Sequence, residues 1–310
     1  MNNRIFRFCA SVIFIVITVS CATVSRNQII ERSYGYSNPG FTEKRIKLAK
    51  NNSVISYYDI GEGRPIIFLH GAAADKDSWQ FQIIEFADDY RVIIPDLPLH
   101  GHSVTESENI DIDFYVDAVI EFMEGLKIES AVVCAHSMGG MIAQKLAVDF
   151  PGKIDLLILA DTSYGIRTNC WDSMMADYAL GYFRKNEMPK LIEDIAENWG
   201  KISIHTKAYL YYTMIRYLDH KDSFLKIWSA VDSFSYDYKT GLPRLDVPVL
   251  ILIPEKNSQA AGQAKKMLKL IPGSKLIIVP GAGHFAMLDN PEDFNDIVRN
   301  FLDENGVNQK

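Results

Sequence analysis

The stretch Ala131-Val132-Val133-Cys134-Ala135-His136-Ser137-Met138-Gly139-Gly140 decides how this chain is read. Its apolar run has no polar alternation, which is the pattern of a strand buried on both faces. The run stops at a serine, and Met141, Ile142, Lys145, Leu146 and Phe150 then follow at helical spacing. Ser137 therefore sits on a strand-to-helix turn. Such a turn is tight and strained, and small residues two before and two after, Ala135 and Gly139, leave room for it and push the hydroxyl to the sheet edge. An ordinary serine-containing turn would look similar over so short a window, so the neighbouring segments must decide.

Working outward, similar apolar runs lie at 66–69, 92–94, 156–160, 249–253 and 276–279. Six such strands point to a parallel sheet covered by helices, an α/β fold. Residues 55–60, closed by Gly61-Glu62-Gly63, read instead as an antiparallel strand and turn. Between the runs lie amphipathic segments. Ile112, Tyr115, Val116, Val119, Ile120 and Met123 form one helical stripe. Near the end, Asn290 is a helix cap, Pro291 suits the first helical position, and Phe294, Ile297, Val298, Phe301 and Leu302 make an apolar face. Roughly eighty residues separate the run at 156–160 from that at 249–253, too many for an unstructured loop. Rich in Trp and Tyr, this insertion reads as a helical cap over 164–240. Its aromatics serve to pack the cap helices together or to line an apolar pocket beneath them.

Ligands of open parallel sheets bind beyond the carboxyl ends of the strands. The residues found there are His70-Gly71-Ala72, Pro95-Asp96, His136-Ser137, Asp161-Thr162, Glu255-Lys256-Asn257 and Gly281-Ala282-Gly283-His284. A serine hydroxyl is a weak nucleophile until a base takes its proton, and a histidine held by a third group is the usual base. His284 is the candidate base, because it follows the last strand on a Gly-rich turn.

Phe68-Leu69-His70-Gly71, Pro95-Asp96-Leu97-Pro98 with Gly101-His102-Ser103, the turn at 135–139, and Gly281-Ala282-Gly283-His284-Phe285 occur in this order. Together they resemble the α/β-hydrolase superfamily, in its capped serine esterase, lactonase and C–C hydrolase group, from about Phe41 to Leu302. The resemblance implies an α/β-hydrolase core over 41–163 and 241–310. It also implies Ser137 as nucleophile, His284 as base, and an oxyanion hole made by the backbone N–H groups of Ala72 and Met138. The chain departs from the pattern at the third catalytic position. Where an acid is usual, Pro254-Glu255-Lys256-Asn257 places an amide, Asn257. In some relatives the acid comes from the end of the preceding strand, which here is Asp161. Glu255 in the same turn and Asn257 itself are the other readings. Asp161 as a simple turn cap before Thr162-Ser163 is its non-catalytic role.

Other chemistries are disfavoured. His70, His100, His102 and His136 invite a zinc reading, but no Cys or acidic cluster completes a ligand set, so no metal is expected. No phosphate loop or dinucleotide fingerprint follows the first strand, so no cofactor is expected either. With 32 basic against 39 acidic residues and no dense basic cluster, nucleic acid is not an expected partner.

The first twenty residues stand apart. Arg4 and Arg7 precede an apolar run over 8–19, which is the layout of a secretion signal and too short for a spanning helix. Thr18-Val19-Ser20-Cys21 resembles a bacterial lipobox, implying lipidation of Cys21. Ala22 after it implies the outer membrane, at its periplasmic face. Residues 21–40 then read as a polar tether. Cys134 and Cys170 alone make no disulfide framework.

The leading expectation is a hydrolase of small apolar carboxylic esters or lactones. A C–C hydrolase or haloperoxidase-like relative is one alternative. A hydrolase-fold binding protein with weakened turnover, motivated by Asn257, is the other.

Overall fold

Each of the six apolar runs is a strand of one sheet in the computed structural model, which describes residues 24–33, 39–166, 170–198, 202–234, 239–256 and 260–307. They are β3 (Pro65–Leu69), β4 (Arg91–Pro95), β6 (Ala131–His136), β7 (Ile154–Ala160), β8 (Val249–Pro254) and β9 (Lys275–Val279). All pair in parallel, in the order β4-β3-β6-β7-β8-β9. The expected antiparallel strand is β2 (Ser53–Ile60), which lies between β4 and β1 (Lys44–Leu48); the two-residue β5 (Val104–Thr105) pairs with it as well.

The central strands β6 and β8 are buried throughout. β9 is different. Its run was expected to be covered on both faces, yet Ile278 is 53% exposed, because among the described residues β9 is the sheet edge and has β8 as its one neighbour. An apolar run reports β preference, and does not by itself distinguish an edge from a centre.

The helices are α1 (Arg26–Ser33), α2 (Gln80–Phe86), α3 (Ile112–Gly125), α4 (Met138–Asp149), α5 (Cys170–Lys185), α6 (Met188–Asn198), α7 (Ile204–Met214), α8 (Lys221–Ser233), α9 (Ala260–Leu270), α10 (Ala286–Asp289) and α11 (Pro291–Glu304). In α3 all six residues of the apolar stripe are buried, and the Asp111 side chain caps it by accepting from Phe114 N–H. The Asn290 side chain caps α11 in the same way, above Pro291 and a buried face of Phe294, Val298, Phe301 and Leu302. α4 packs on β6 and β7, and α9 on β8 and β9.

Helices α5 to α8 fill the insertion between β7 and β8 as a cap. Phe183, Phe224 and Trp228 form its buried centre, with ring centroids 5.1 to 6.0 Å apart. These aromatics hold the cap together, as in the packing role weighed from the sequence.

Part of the stretch read as a tether is also structured. α1 lies against α7, with Ile29 fully buried, Arg26 forked onto Asp219, and Arg32 paired with Glu193 and donating to Tyr211 Oη at 2.7 Å. The polar composition that suggested a linker belongs to the outer side of a short docked helix. The signal segment 1–20, Cys21 and Asn257 lie outside the described residues.

A buried polar cluster fixes the loop after β3. Lys76 Nζ is 2.8 Å from Asp96 and 3.2 Å from Glu43, and Tyr58 Oη donates to Asp77 Oδ1 at 2.7 Å. Burial first, then the neighbouring Asp75 charge, pushes the Asp77 carboxyl up to about 7; Asp96 adds to the rise, and Lys76 and the Tyr58 bond oppose it. A carboxyl raised in the folded state favours the protonated fold. Its contribution is complete below the unfolded value, about 4, and is lost as pH rises through about 7. The urea midpoint of the wild type is therefore expected to fall from pH 5 to pH 8, and Asp77→Asn to flatten that fall. An unaltered slope in the variant would remove Asp77 as its source.

Candidate active site

Ser137 occupies the turn between β6 and α4 with φ 51° and ψ −117°, a left-handed conformation that a serine adopts only under constraint. The constraints are visible. Ser137 N–H donates to Ala160 O at 3.0 Å, and Thr162 Oγ1 donates to Ser137 O at 2.6 Å. Gly139 supplies the required space, since a Cβ there would sit 2.5 Å from Leu69 O and 2.7 Å from His70 O. The elbow thus presses directly on the end of β3, and a larger residue at 139 would push it away.

His284 follows β9 on the turn at 280–283 and is buried. Its Nδ1 lies 2.6 Å from Asp161 Oδ2, across 123 residues of sequence. Asp161 directly follows β7, where it too is buried and left-handed at φ 42°, with its N–H donating to Leu252 O. With Nδ1–H given to a carboxylate, the other ring nitrogen, Nε2, is the one placed to act as a base.

The other two groups weighed for this place differ. Glu255 accepts from Gly281 N–H at 2.8 Å and so braces the turn that carries His284. Asn257 is outside the described residues.

The serine and histidine segments meet through His136. Its Nε2–H donates to the His284 carbonyl at 2.9 Å, and the two rings lie 4.5 Å apart. Burial, and after it the nearby His284, holds His136 well below its usual range, so this ring is neutral. Gly71 lies close beside it: a Cβ there would fall 3.0 Å from both His136 Nδ1 and Ser137 Cβ, so these neighbours would have to give by a few tenths of an ångström.

Of the two backbone N–H groups expected to form an oxyanion hole, that of Met138 heads α4, where the first amides have no acceptor within the helix. Ala72 follows His70-Gly71 in a turn closed by Ala74 N–H to Gly71 O at 3.3 Å, with Ala73 left-handed at φ 57°. The histidines considered for a metal have other partners. His70 joins two loops, with Nδ1 on Gly71 O and Nε2 accepting from Leu97 N–H. His100 Nδ1 donates to Pro98 O, and His102 Nδ1 meets Glu43.

One contributor was not singled out from the sequence. Asp289 Oδ2 accepts from Gly283 N–H at 2.8 Å, immediately before His284, while its other oxygen faces the cap. Its signal was an acid five residues beyond the histidine, ahead of Asn290-Pro291, where it resembles an ordinary helix-start residue.

A model described as the Alpha/beta hydrolase family matches residues 66–297. The AB hydrolase superfamily protein YisY of Bacillus subtilis is 29% identical over 259 residues, spanning 78% of this chain and 93% of its own length. A non-heme chloroperoxidase of Kitasatospora aureofaciens is 26% identical over 270 residues, 81% of this chain and 96% of its own. Among solved structures, the enol-lactonase from Burkholderia xenovorans superposes with a TM-score of 0.73 at 20% identity, over 84% of this chain and 99% of its own.

Proposed function

Because the chain belongs to the alpha/beta hydrolase family, we propose that it is a serine hydrolase of carboxylic esters or lactones, working through an acyl-enzyme on Ser137. The observation that carries this reading is the contact of His284 Nδ1 with Asp161 at 2.6 Å, on a segment joined through His136 to the strained elbow of Ser137.

In the first half-reaction Ser137 Oγ attacks the carbonyl carbon and its proton passes to His284 Nε2. The carbonyl oxygen becomes an oxyanion held by the N–H groups of Met138 and Ala72. Asp161 stabilises the imidazolium that forms. When the tetrahedral intermediate collapses, the carbon–oxygen bond to the alcohol breaks and His284 returns the proton to the departing oxygen. In the second half, water gives a proton to His284 and attacks the acyl carbon; the bond from that carbon to Ser137 Oγ then breaks, His284 returns the proton to Oγ, and the acid leaves. A lactone gives one hydroxy acid in place of two products. Each backbone donor is worth about 10²–10³ in rate in such a site, because it is already aimed before charge develops. The similarity to an enol-lactonase supports a lactone as one class of substrate. The test is hydrolysis of esters of graded chain length by the purified protein, and its loss with Ser137.

The lipobox-like Thr18-Val19-Ser20-Cys21 supports a further reading, that this hydrolase works as a lipoprotein at the periplasmic face of the outer membrane. Labelled palmitate is then expected to enter the wild type and not Cys21→Ser. Equal labelling of the two would exclude Cys21 as the anchor.

A further inference from the structure

Helix α7 belongs to the cap, yet its buried polar side chains are committed to the core. Thr206, Tyr209 and Thr213 are 0%, 1% and 2% exposed and fall at i, i+3 and i+7, on one stripe of the helix. A stripe facing a core is ordinarily apolar, and burying hydroxyls is costly unless each finds a partner.

Here each finds a carboxylate beside the candidate active site, either Asp75 in the segment after β3 or Asp289 at the end of α10. At one end, Thr213 Oγ1 donates to Asp75 Oδ2 at 2.7 Å and Tyr209 Oη donates to Asp75 Oδ1 at 3.0 Å, while Asp75 N–H donates to Tyr209 Oη. Asp75 lies three residues after Ala72 and two after the left-handed Ala73. At the other end, Asp289 Oδ1 accepts from Thr206 Oγ1 at 2.6 Å and from Ser203 N–H at 2.8 Å, while its Oδ2 holds Gly283 N–H, next to His284. Tyr209 also packs edge-on against Phe285, the residue after His284.

We propose that α7 is a strut joining the Ala72 loop to the His284 loop, with Asp75 and Asp289 as positioning residues for the oxyanion donor and the base. This rests on the serine hydrolase reading above for its catalytic consequence, and on the hydrogen bonds alone for its mechanical one. Seven residues of helix, roughly 10 Å, separate the two clamps. A helix resists stretching far more than the loops do, so the spacing of the two loops is set by the cap. The left-handed turn at Ala73 persists because the surrounding bonds over-determine it.

The test uses Thr206→Val and Thr213→Val, which keep side-chain shape and remove one hydroxyl each. Each is expected to lower kcat by about tenfold with KM within about twofold, as for loss of a hydrogen bond to a charged group. Thr206→Ser and Thr213→Ser should restore the wild-type rate. Each substitution weakens one end of the same strut and leaves the Tyr209 and Ser203 bonds in place, so the double variant should lose less than the product of the two single losses. In hydrogen exchange each valine variant should speed amide exchange at both 71–75 and 283–289. Exchange rising only at the loop nearest the substitution, or losses that multiply in the double variant, would overturn the strut. The exchange measurement decides this even if the wild type hydrolyses no ester, an outcome that would count against the hydrolase reading alone.

Discussion

Ser137→Ala is expected to lower hydrolysis of every ester the wild type cleaves by about 10⁴–10⁶-fold, and to abolish labelling by a fluorophosphonate. The size follows from what the hydroxyl does. Without Oγ no acyl-enzyme forms, and only the backbone donors and the bound geometry remain to assist a direct attack by water. Alanine at 137 keeps the fold, since the turn is held through backbone groups: the N–H to Ala160 O and the C=O from Thr162 Oγ1. Loss of activity with an unchanged thermal transition therefore reads as chemistry. A correctly folded wild type that takes no probe, or an alanine variant that turns over normally, would refute the acyl-enzyme on Ser137.

The second large effect is expected at Asp161. Asp161→Asn should lower kcat/KM by at least tenfold and up to about 10⁴-fold, while Glu255→Gln stays within about threefold. An amide facing His284 Nδ1 can present its NH2 group, which forces the proton onto Nε2, the nitrogen that must accept it from serine. If the amide turns its oxygen inward instead, the tautomer is preserved, but the imidazolium loses its negative neighbour in a buried site. Glu255, by contrast, holds Gly281 N–H, and glutamine retains an oxygen for that bond. An unchanged rate in Asp161→Asn together with a collapse in Glu255→Gln would transfer the role to Glu255. The binding-protein alternative drew on the amide at Asn257, and the turnover of the wild type against Ser137→Ala distinguishes it from the hydrolase reading.

The sheet strands, the elbow, the stripe of α3, the capped α11 and the helical insertion could be read from the sequence. The reason is physical: backbone sterics and burial act over a few residues, so a run without polar alternation or a stripe at helical spacing records which faces are covered. Ser137 and His284 were found because each follows such a run on a turn rich in small residues. What the sequence alone did not decide was what each covered face meets. β9 has the composition of an inner strand and lies at the edge. α1 has the composition of a linker and is docked. Nothing in the sequence marks Thr206 and Thr213 of α7 as partners of the two carboxylates that face them. Above all, Asp161, Glu255 and Asn257 all stood near a strand end, and Asp161 was preferred through the resemblance to relatives, not through any local pattern. The parallel register of β7 with β8 and of β8 with β9 carries Asp161, 123 positions away in the chain, to 2.6 Å from His284. Local patterning determines the elements and the groups they offer, whereas a contact between distant groups exists only once the sheet has closed its order.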